Sequence, residues 1–116
     1  MFELKDVDFI EEDGEKFRLS MTPNEKNANV NGFVHGGIIF TLADESIGRY
    51  VTKQGRVGAA ADADIHYYRP AKIGEKLTAT VNERKVGKKL GIYLIEVTNP
   101  AGKLVADAML TIAFVN

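Results

Sequence analysis

The chain has 116 residues, of which 45% are hydrophobic and 27% are charged, and its formal net charge is -1. This length suits one domain, and the mixture is typical of a folded globular protein rather than a disordered one. The nearly neutral charge argues against non-specific nucleic-acid binding, and the absence of cysteine excludes disulfides, thiolate catalysis and iron–sulfur clusters. We expect a single domain over residues 1–116.

The N-terminal residues 1–6 contain no basic segment followed by an apolar stretch, so we predict no signal peptide. No apolar run approaches the roughly 18 residues that a membrane-spanning helix requires. A cytoplasmic protein is therefore expected.

The first elements in chain order are a hairpin and a loop. Residues 7–11 and 16–21 flank Asp13-Gly14, a dipeptide typical of a tight turn with positive φ. Residues 22–34 contain a proline, four asparagines and a glycine, which is loop chemistry.

One long helix follows, predicted from Gly36 to Lys53. Apolar residues recur around most of its circumference, which indicates burial on most sides. Gly55 is placed to end the helix.

The rest of the chain is predicted to form four strands: residues 56–68, 75–86, 90–98 and 103–115. The last two are joined by residues 99–102, Asn-Pro-Ala-Gly, a strong turn signal. A hairpin, one helix and four strands predict an antiparallel sheet with one long helix, the α+β class. The last two strands are apolar on both faces, whereas one helix covers only one face. We therefore expect another subunit to cover the other face or an edge.

Two adjacent glycines, Gly36 and Gly37, stand at the start of the helix. They leave the unpaired N–H groups of the first turn accessible at the positive end of the helix dipole, a plausible site for an oxyanion. The alternative is that the two glycines only permit tight packing.

Asp44 lies in the middle of this helix, where its neighbours on one side are Gly37, Thr41 and Gly48. A carboxylate among apolar and small residues is costly to bury, and such a residue is often functional. The alternative is a structural carboxylate bonded to a nearby hydroxyl or amide. Glu45 is explained by an i,i+4 ion pair with Arg49.

The spacing of Gly36 and Asp44 constrains any site that uses both. Eight positions on one helix span about 12 Å, too far for both groups to reach one carbonyl. Two antiparallel helices related by a two-fold axis would instead bring each Gly36 beside the partner's Asp44. The spacing therefore suggests a dimer with paired sites.

Taken together, these motifs resemble the hotdog-fold thioesterase superfamily, in particular its phenylacetate-pathway (PaaI-like) branch. The resemblance is carried by Asn29, by His35-Gly36-Gly37 with Asp44 nine residues after the histidine, and by residues 68–75, Tyr-Arg-Pro-Ala-Lys-Ile-Gly-Glu. It covers nearly the whole chain. It implies a long helix wrapped by a curved antiparallel sheet, usually as a dimer of dimers, that is, a homotetramer.

The resemblance also implies roles for four residues. Asp44 would act on the thioester as general base or as nucleophile, and the Gly36 N–H would polarise its carbonyl from the other subunit. Asn29 would help to place the carboxylate or water, and His35 would orient the loop. The chain departs from some relatives at Ala60, where they have a serine or threonine that holds the attacking water. Asn29 or Asp62 could take over that task.

Contacts with the substrate are predicted from residue chemistry. Arg69 and Lys72 flank Pro70 and could bind phosphates of coenzyme A, although a solvated basic turn is the more common reason for such residues. Phe33 could line an acyl pocket or belong to the core. Asp62, Asp64 and His66 alternate on one strand, which more often is a polar strand face than a metal site.

We therefore expect an enzyme that hydrolyses acyl- or aryl-coenzyme A without a metal or organic cofactor. A thioester leaves as a thiolate of moderate basicity, so a carboxylate and oxyanion donors suffice. A hydratase or dehydratase is the rival enzyme class, and a non-catalytic acyl-CoA-binding module is the rival outside enzymes. Neither nucleic acid nor a membrane is expected as a partner.

Overall fold

The computed structural model describes residues 7–116. Residues 1–6, for which we predict no signal peptide, lie outside the described residues. The elements in chain order are β1 (Ile10–Asp13), β2 (Phe17–Met21), a short 3₁₀ helix (Glu25–Asn27), α1 (Gly36–Lys53), β3 (Gly58–Tyr67), β4 (Leu77–Val86), β5 (Leu90–Thr98) and β6 (Leu104–Phe114).

The six strands form one antiparallel sheet in the order β1-β2-β4-β5-β6-β3. β3 follows the helix in sequence but lies at the far edge of the sheet, next to the last strand. The chain therefore crosses the whole sheet between β2 and β3, and α1 makes that crossing. The α+β class is confirmed, with one long helix against an antiparallel sheet.

The helix has the predicted bounds. It ends where Gly55 adopts a φ of 77°, a left-handed conformation that glycine adopts without steric cost. The N–H of Gly55 donates to the carbonyl of Thr52, which satisfies one of the carbonyls that a helix end leaves unpaired.

One face of the sheet carries the hydrophobic core. Leu42 and Ile47 on α1 are buried, and strand residues such as Ile95 and Leu110 lie fully buried in the same cluster. On the opposite face Ile92 and Met109 remain 36% and 40% exposed. The strands are thus apolar on both faces, as expected, and coverage of the outer face by another subunit stays a prediction.

The hairpin turn differs from the prediction. Asp13 is the last residue of β1 and pairs with Phe17, so three residues, 14–16, make the connection. Gly14 does not have the positive φ angle that the prediction required. The prediction of a two-residue turn at Asp13-Gly14 is wrong, because the register pairs Asp13 across the strands instead of placing it in the turn.

A core substitution tests the packing of α1. Leu42→Ala should lower the free energy of unfolding by about 2–5 kcal/mol, since it removes a fully buried side chain and leaves a cavity. Chemical denaturation measures the change. Val30→Ala is the matched control, because Val30 is fully exposed, and equal effects of the two substitutions would show that Leu42 is not part of the core.

Candidate active site

The start of α1 leaves one backbone donor free. His35 precedes the helix with extended backbone, and its Nδ1 accepts the Gly37 N–H at 2.8 Å. The Ile38 N–H donates to the His35 carbonyl at 2.9 Å. Among residues 7–116, the N–H of Gly36 is left without a hydrogen-bond partner. Of the two glycines expected at an oxyanion site, Gly36 therefore has the available donor, while Gly37 is capped by the histidine.

The loop before the helix is held by its own hydrogen bonds. The His35 N–H donates to the carbonyl of Asn27 at 2.7 Å. The side-chain oxygen of Asn29 accepts the N–H groups of Asn31 and Phe33 at 2.9 and 3.1 Å. Asn29 thus shapes the loop through its oxygen, and its amide nitrogen stays available, with no partner in the described part of the chain.

Asn27 is a residue of this loop that was not predicted from the sequence. Its side chain is 2% exposed, and its oxygen accepts the Asn24 N–H at 2.8 Å. Its side-chain nitrogen is buried without a hydrogen-bond partner. The signal in the sequence is the Asn-x-x-Asn spacing, which here forms a capping box on the 3₁₀ helix.

Asp44 lies on the exposed face of α1. The surrounding protein still removes part of the water around its carboxylate, and this partial burial raises the pKa of Asp44. The negative charge of Glu45 raises the pKa further. The nearby hydroxyls are turned to the backbone: Thr41 donates to the carbonyl of Gly37 and Ser46 to that of Ala43. Within residues 7–116 no hydroxyl or amide bonds to the carboxylate. The described residues therefore supply no partner for the alternative, a structural carboxylate bonded to a nearby hydroxyl or amide.

Glu45, by contrast, is occupied. It accepts a hydrogen bond from Arg49 at 3.2 Å, the predicted i,i+4 pair, and Arg49 also contacts Glu11 at 2.9 Å. The two adjacent carboxylates differ in this respect: Glu45 is paired with a cation, whereas Asp44 has no such partner among residues 7–116.

Tyr67, the last residue of β3, covers the start of the helix. Its hydroxyl donates to the Gly36 carbonyl at 2.8 Å. A Cβ added at Gly36 would lie 3.3 Å from Cζ of the Tyr67 ring. The φ angle of Gly36 is not positive, so backbone conformation does not require a glycine at this position. The close approach of the Tyr67 ring is what favours a glycine here. This contact was not predicted, because its only signal in the sequence is an aromatic residue three positions before Pro70.

Only some of the residues predicted to contact the substrate lie close to one another. A β-bridge joins Phe33 to Lys72, which places both beside the loop before the helix. Arg69 instead uses its Nε to bind the Leu104 carbonyl at 2.9 Å. Ala60 lies seven residues from Tyr67 along β3, about 23 Å for an extended strand. The residues at or beside the helix start are Asn29, Phe33, His35, Gly36, Gly37 and Lys72.

The alternating acidic face of β3 does not form a metal-binding group. His66 lies 3.5 Å from Asp64. In the part of the chain that the structure describes, no three histidine, aspartate or glutamate side chains come together as metal ligands. No helix in this part is long and apolar enough to span a membrane.

The chain is similar in sequence and in fold to known thioesterases. The model of the thioesterase superfamily matches residues 31–106. Mouse acyl-coenzyme A thioesterase 13 is 35% identical over 107 residues, covering 90% of this chain and 76% of that protein. The Escherichia coli acyl-coenzyme A thioesterase PaaI is 35% identical over 100 residues, covering 86% of this chain and 71% of that protein. The solved structure of E. coli PaaI superposes with a TM-score of 0.86 over 96% of this chain and 80% of that chain, at 32% identity.

The unpaired Asp44 carboxylate has a consequence for stability. Folding raises the pKa of Asp44, so ionisation of this carboxyl group lowers the stability of the folded chain. The loss of stability is absent at a pH below the pKa of the unfolded chain, about 3.9, and is complete at a pH above the pKa of the folded chain. Asp44→Asn should therefore raise the melting temperature at neutral pH, and the gain should vanish as the pH falls below about 4. Thermal unfolding across this pH range measures it.

Asp62→Asn controls for the loss of one negative charge, since Asp62 is exposed and makes no hydrogen bond or ion pair in the described chain. If Asp44→Asn lowered the melting temperature at neutral pH more than Asp62→Asn does, the Asp44 carboxylate would have a stabilising partner and could not be unpaired.

Proposed function

Because the chain belongs to the thioesterase superfamily, we propose that it hydrolyses the thioester bond of acyl- or aryl-coenzyme A. The observation that carries the proposal is the pair of available groups on α1. The N–H of Gly36 has no partner in the described chain, and the carboxylate of Asp44 is unpaired with a raised pKa. One is a donor for a developing oxyanion, and the other is a base or nucleophile.

In the proposed reaction, the thioester carbonyl accepts a hydrogen bond from the Gly36 N–H. Ionised Asp44 removes a proton from the attacking water, or attacks the carbonyl carbon itself. The carbonyl oxygen gains negative charge as the new C–O bond forms, and the Gly36 N–H stabilises that charge. The C–S bond then breaks, and coenzyme A leaves as a thiolate that takes up the released proton. On the nucleophilic route, water then hydrolyses the acyl–Asp44 anhydride, which releases the acid and restores the carboxylate. No metal or organic cofactor takes part.

Three residues near the helix start support these steps. His35 caps Gly37, so the first turn of α1 is fixed while the Gly36 N–H stays open. Asn29 has a free amide nitrogen that would hold the carboxylate or the water. Ala60 offers no hydroxyl for that purpose, which makes Asn29 the better candidate.

The acyl portion and the pantetheine arm are assigned by position. Phe33 stands exposed at the helix start, where it would contact the acyl or phenylacetyl-like group. Lys72 lies beside Phe33, so it would contact the pantetheine arm, which separates the acyl group from the phosphates. Arg69 is less available, because its Nε is bound to a carbonyl. Substrates of short, medium and aryl chains all suit this arrangement.

We further propose that each site is shared by two copies of the chain. The Gly36 N–H and Asp44 lie about 12 Å apart along one straight helix, whereas catalysis needs both within about 3 Å of the reacting atoms. β3 forms an edge of the sheet, and nine of its ten residues are exposed. An unpaired edge of this kind is a surface on which another chain can pair.

The activity is tested by thiol release from a panel of acyl- and aryl-coenzyme A thioesters. Wild type should turn over at least one of them, and Asp44→Asn should lose roughly 100-fold or more, the scale of a positioned base. Glu45→Gln is the control, because Glu45 is paired with Arg49 and should keep turnover near the wild-type rate.

The outcome also separates the rival functions. Binding of the thioesters without cleavage by wild type would favour an acyl-CoA-binding module. Addition of water to an unsaturated acyl group without thiol release would favour a hydratase. An Asp44→Asn variant as active as wild type would remove Asp44 from the mechanism.

Sharing of the site between copies is tested by mixing two inactive variants. Gly36→Pro removes the N–H at the first helical position, where proline is tolerated, and the extended backbone of His35 suits a residue before proline. Refolding Gly36→Pro with Asp44→Asn in equal amounts should restore about a quarter of wild-type activity, since half of random dimers then hold one intact site of two.

Gly36→Ala accompanies this experiment, because it adds a Cβ but keeps the N–H, and its difference from Gly36→Pro isolates the lost donor. A mixture no more active than its components would place both groups in one chain and would overturn the shared site.

A further inference from the structure

We propose that Tyr67 is a positioning residue for thioester hydrolysis, holding Gly36 so that its N–H stays aimed at the thioester oxygen. The inference rests on the proposed function and names the residue that fixes its oxyanion donor. Tyr67 itself would touch neither the reacting atoms nor the leaving group.

The need for such a residue follows from the donor being a glycine. Glycine is the residue with the greatest backbone freedom, so the orientation of the two peptide groups that meet at Gly36 depends on contacts that limit this rotation. An oxyanion donor accelerates a reaction only when it is already oriented toward the place where charge develops. Gly36 is the first residue of α1, where helical hydrogen bonds constrain the backbone least.

The Gly36 N–H shares a planar peptide group with the His35 carbonyl, which accepts the N–H groups of Ile38 and Ile39 at 2.9 and 3.4 Å. His35 is held through its N–H on Asn27, and Gly37 through its N–H on the His35 ring. The Gly36 carbonyl receives its side-chain hydrogen bond from the sheet side, from the hydroxyl of Tyr67 at 2.8 Å. This hydrogen bond holds the Gly36–Gly37 peptide group. Both peptide groups that meet at Gly36 are then restrained, which limits rotation about its backbone bonds and keeps the N–H direction fixed.

The ring adds a second restraint. Three ring and hydroxyl atoms of Tyr67 would lie 3.3–3.5 Å from a Cβ built on Gly36, so the ring lies close over that position. A glycine lets the ring come this near, and the ring in turn blocks displacement of Gly36 toward β3. The small residue and the large one therefore fit each other.

Tyr67 is itself well anchored. It pairs with Ala106 in the ladder between β3 and β6, and the next N–H, of Tyr68, donates to the Val105 carbonyl at 2.8 Å. Burial also raises the pKa of the Tyr67 phenol, which keeps the hydroxyl protonated and able to donate through neutral and mildly alkaline pH. The sheet therefore supplies a fixed donor against a flexible residue.

The test compares Tyr67→Phe with Tyr68→Phe. Tyr68 is the matched control because its hydroxyl donates to the Asp107 carboxylate at 2.9 Å, away from Gly36. Tyr67→Phe keeps the ring and removes only the hydrogen bond. We expect kcat to fall about tenfold with KM within about twofold of wild type, a loss of transition-state stabilisation. Tyr68→Phe should leave both constants near the wild-type values.

A second readout does not depend on activity. The Gly37 N–H shares a peptide group with the Gly36 carbonyl and is hydrogen-bonded to the His35 ring. Its amide hydrogen exchange, followed by NMR, should be faster in Tyr67→Phe than in Tyr68→Phe. Equal kcat values for the two variants, or equal exchange of the Gly37 amide, would overturn the positioning role. If wild type cleaves no thioester, the proposed function fails, and the exchange measurement alone then decides whether Tyr67 holds Gly36.

A double-mutant cycle provides an independent route. Gly36→Ala should lower kcat in the wild-type chain, because its Cβ meets the Tyr67 ring, and should cost less in a Tyr67→Ala background. An equal penalty in both backgrounds would show that the methyl group acts elsewhere, and would contradict the fit between the two residues.

Discussion

The structure depends on one constraint: the rigidity of the eighteen-residue helix that holds both candidate catalytic groups. A helix fixes the separation of its residues at 1.5 Å per position, and no side-chain motion closes a gap of about 12 Å between Gly36 and Asp44. Under the proposed mechanism, assembly of the site is therefore equivalent to association of chains. The exposed face of α1 and the free edge of β3 then serve catalysis as well as self-association.

The core explains how the helix tolerates its unfavourable residues. A glycine within a helix costs about 1 kcal/mol relative to alanine, and a partly desolvated carboxylate adds a further cost. The opposite face of α1 offsets these costs, because residues such as Leu42 and Ile47 are buried against the sheet. Burial of the apolar face thus stabilises the helix, so its exposed face can carry residues such as Asp44 that lower its stability.

The sequence predicted the periodic parts of the fold well. The helix has the predicted bounds, β5 covers residues 90–98 as predicted, and Gly55 ends the helix with positive φ. These features follow from local propensity and periodicity. The prediction of the hairpin turn was wrong because the strand register depends on both strands, and a dipeptide such as Asp13-Gly14 does not determine that register. The 3₁₀ helix within the predicted loop was not foreseen either.

The sequence indicated candidate site residues, which stay a prediction, but it did not indicate the contacts between them. The Gly-Gly pair was identified as a unit, and only the structure shows the His35 ring occupying one N–H and leaving the other. Tyr67 lies 31 residues after Gly36, and nothing in local sequence connects the two. Such pairings arise from the sheet order, which places β3 beyond β6 instead of beside β2.

This sheet order also determines when the site can form during synthesis. β3 precedes β4 and β5 along the chain, yet its ladder partner is β6, which is synthesised after both. Until residues 104–114 emerge, β3 has no partner strand within its own chain, and Tyr67 has no anchor in the sheet. Pairing of distant segments is slow and is completed late in folding. The β3–β6 ladder and the contact of Tyr67 with Gly36 therefore form together, after residues 104–114 have emerged, so a nascent chain that lacks these residues has neither.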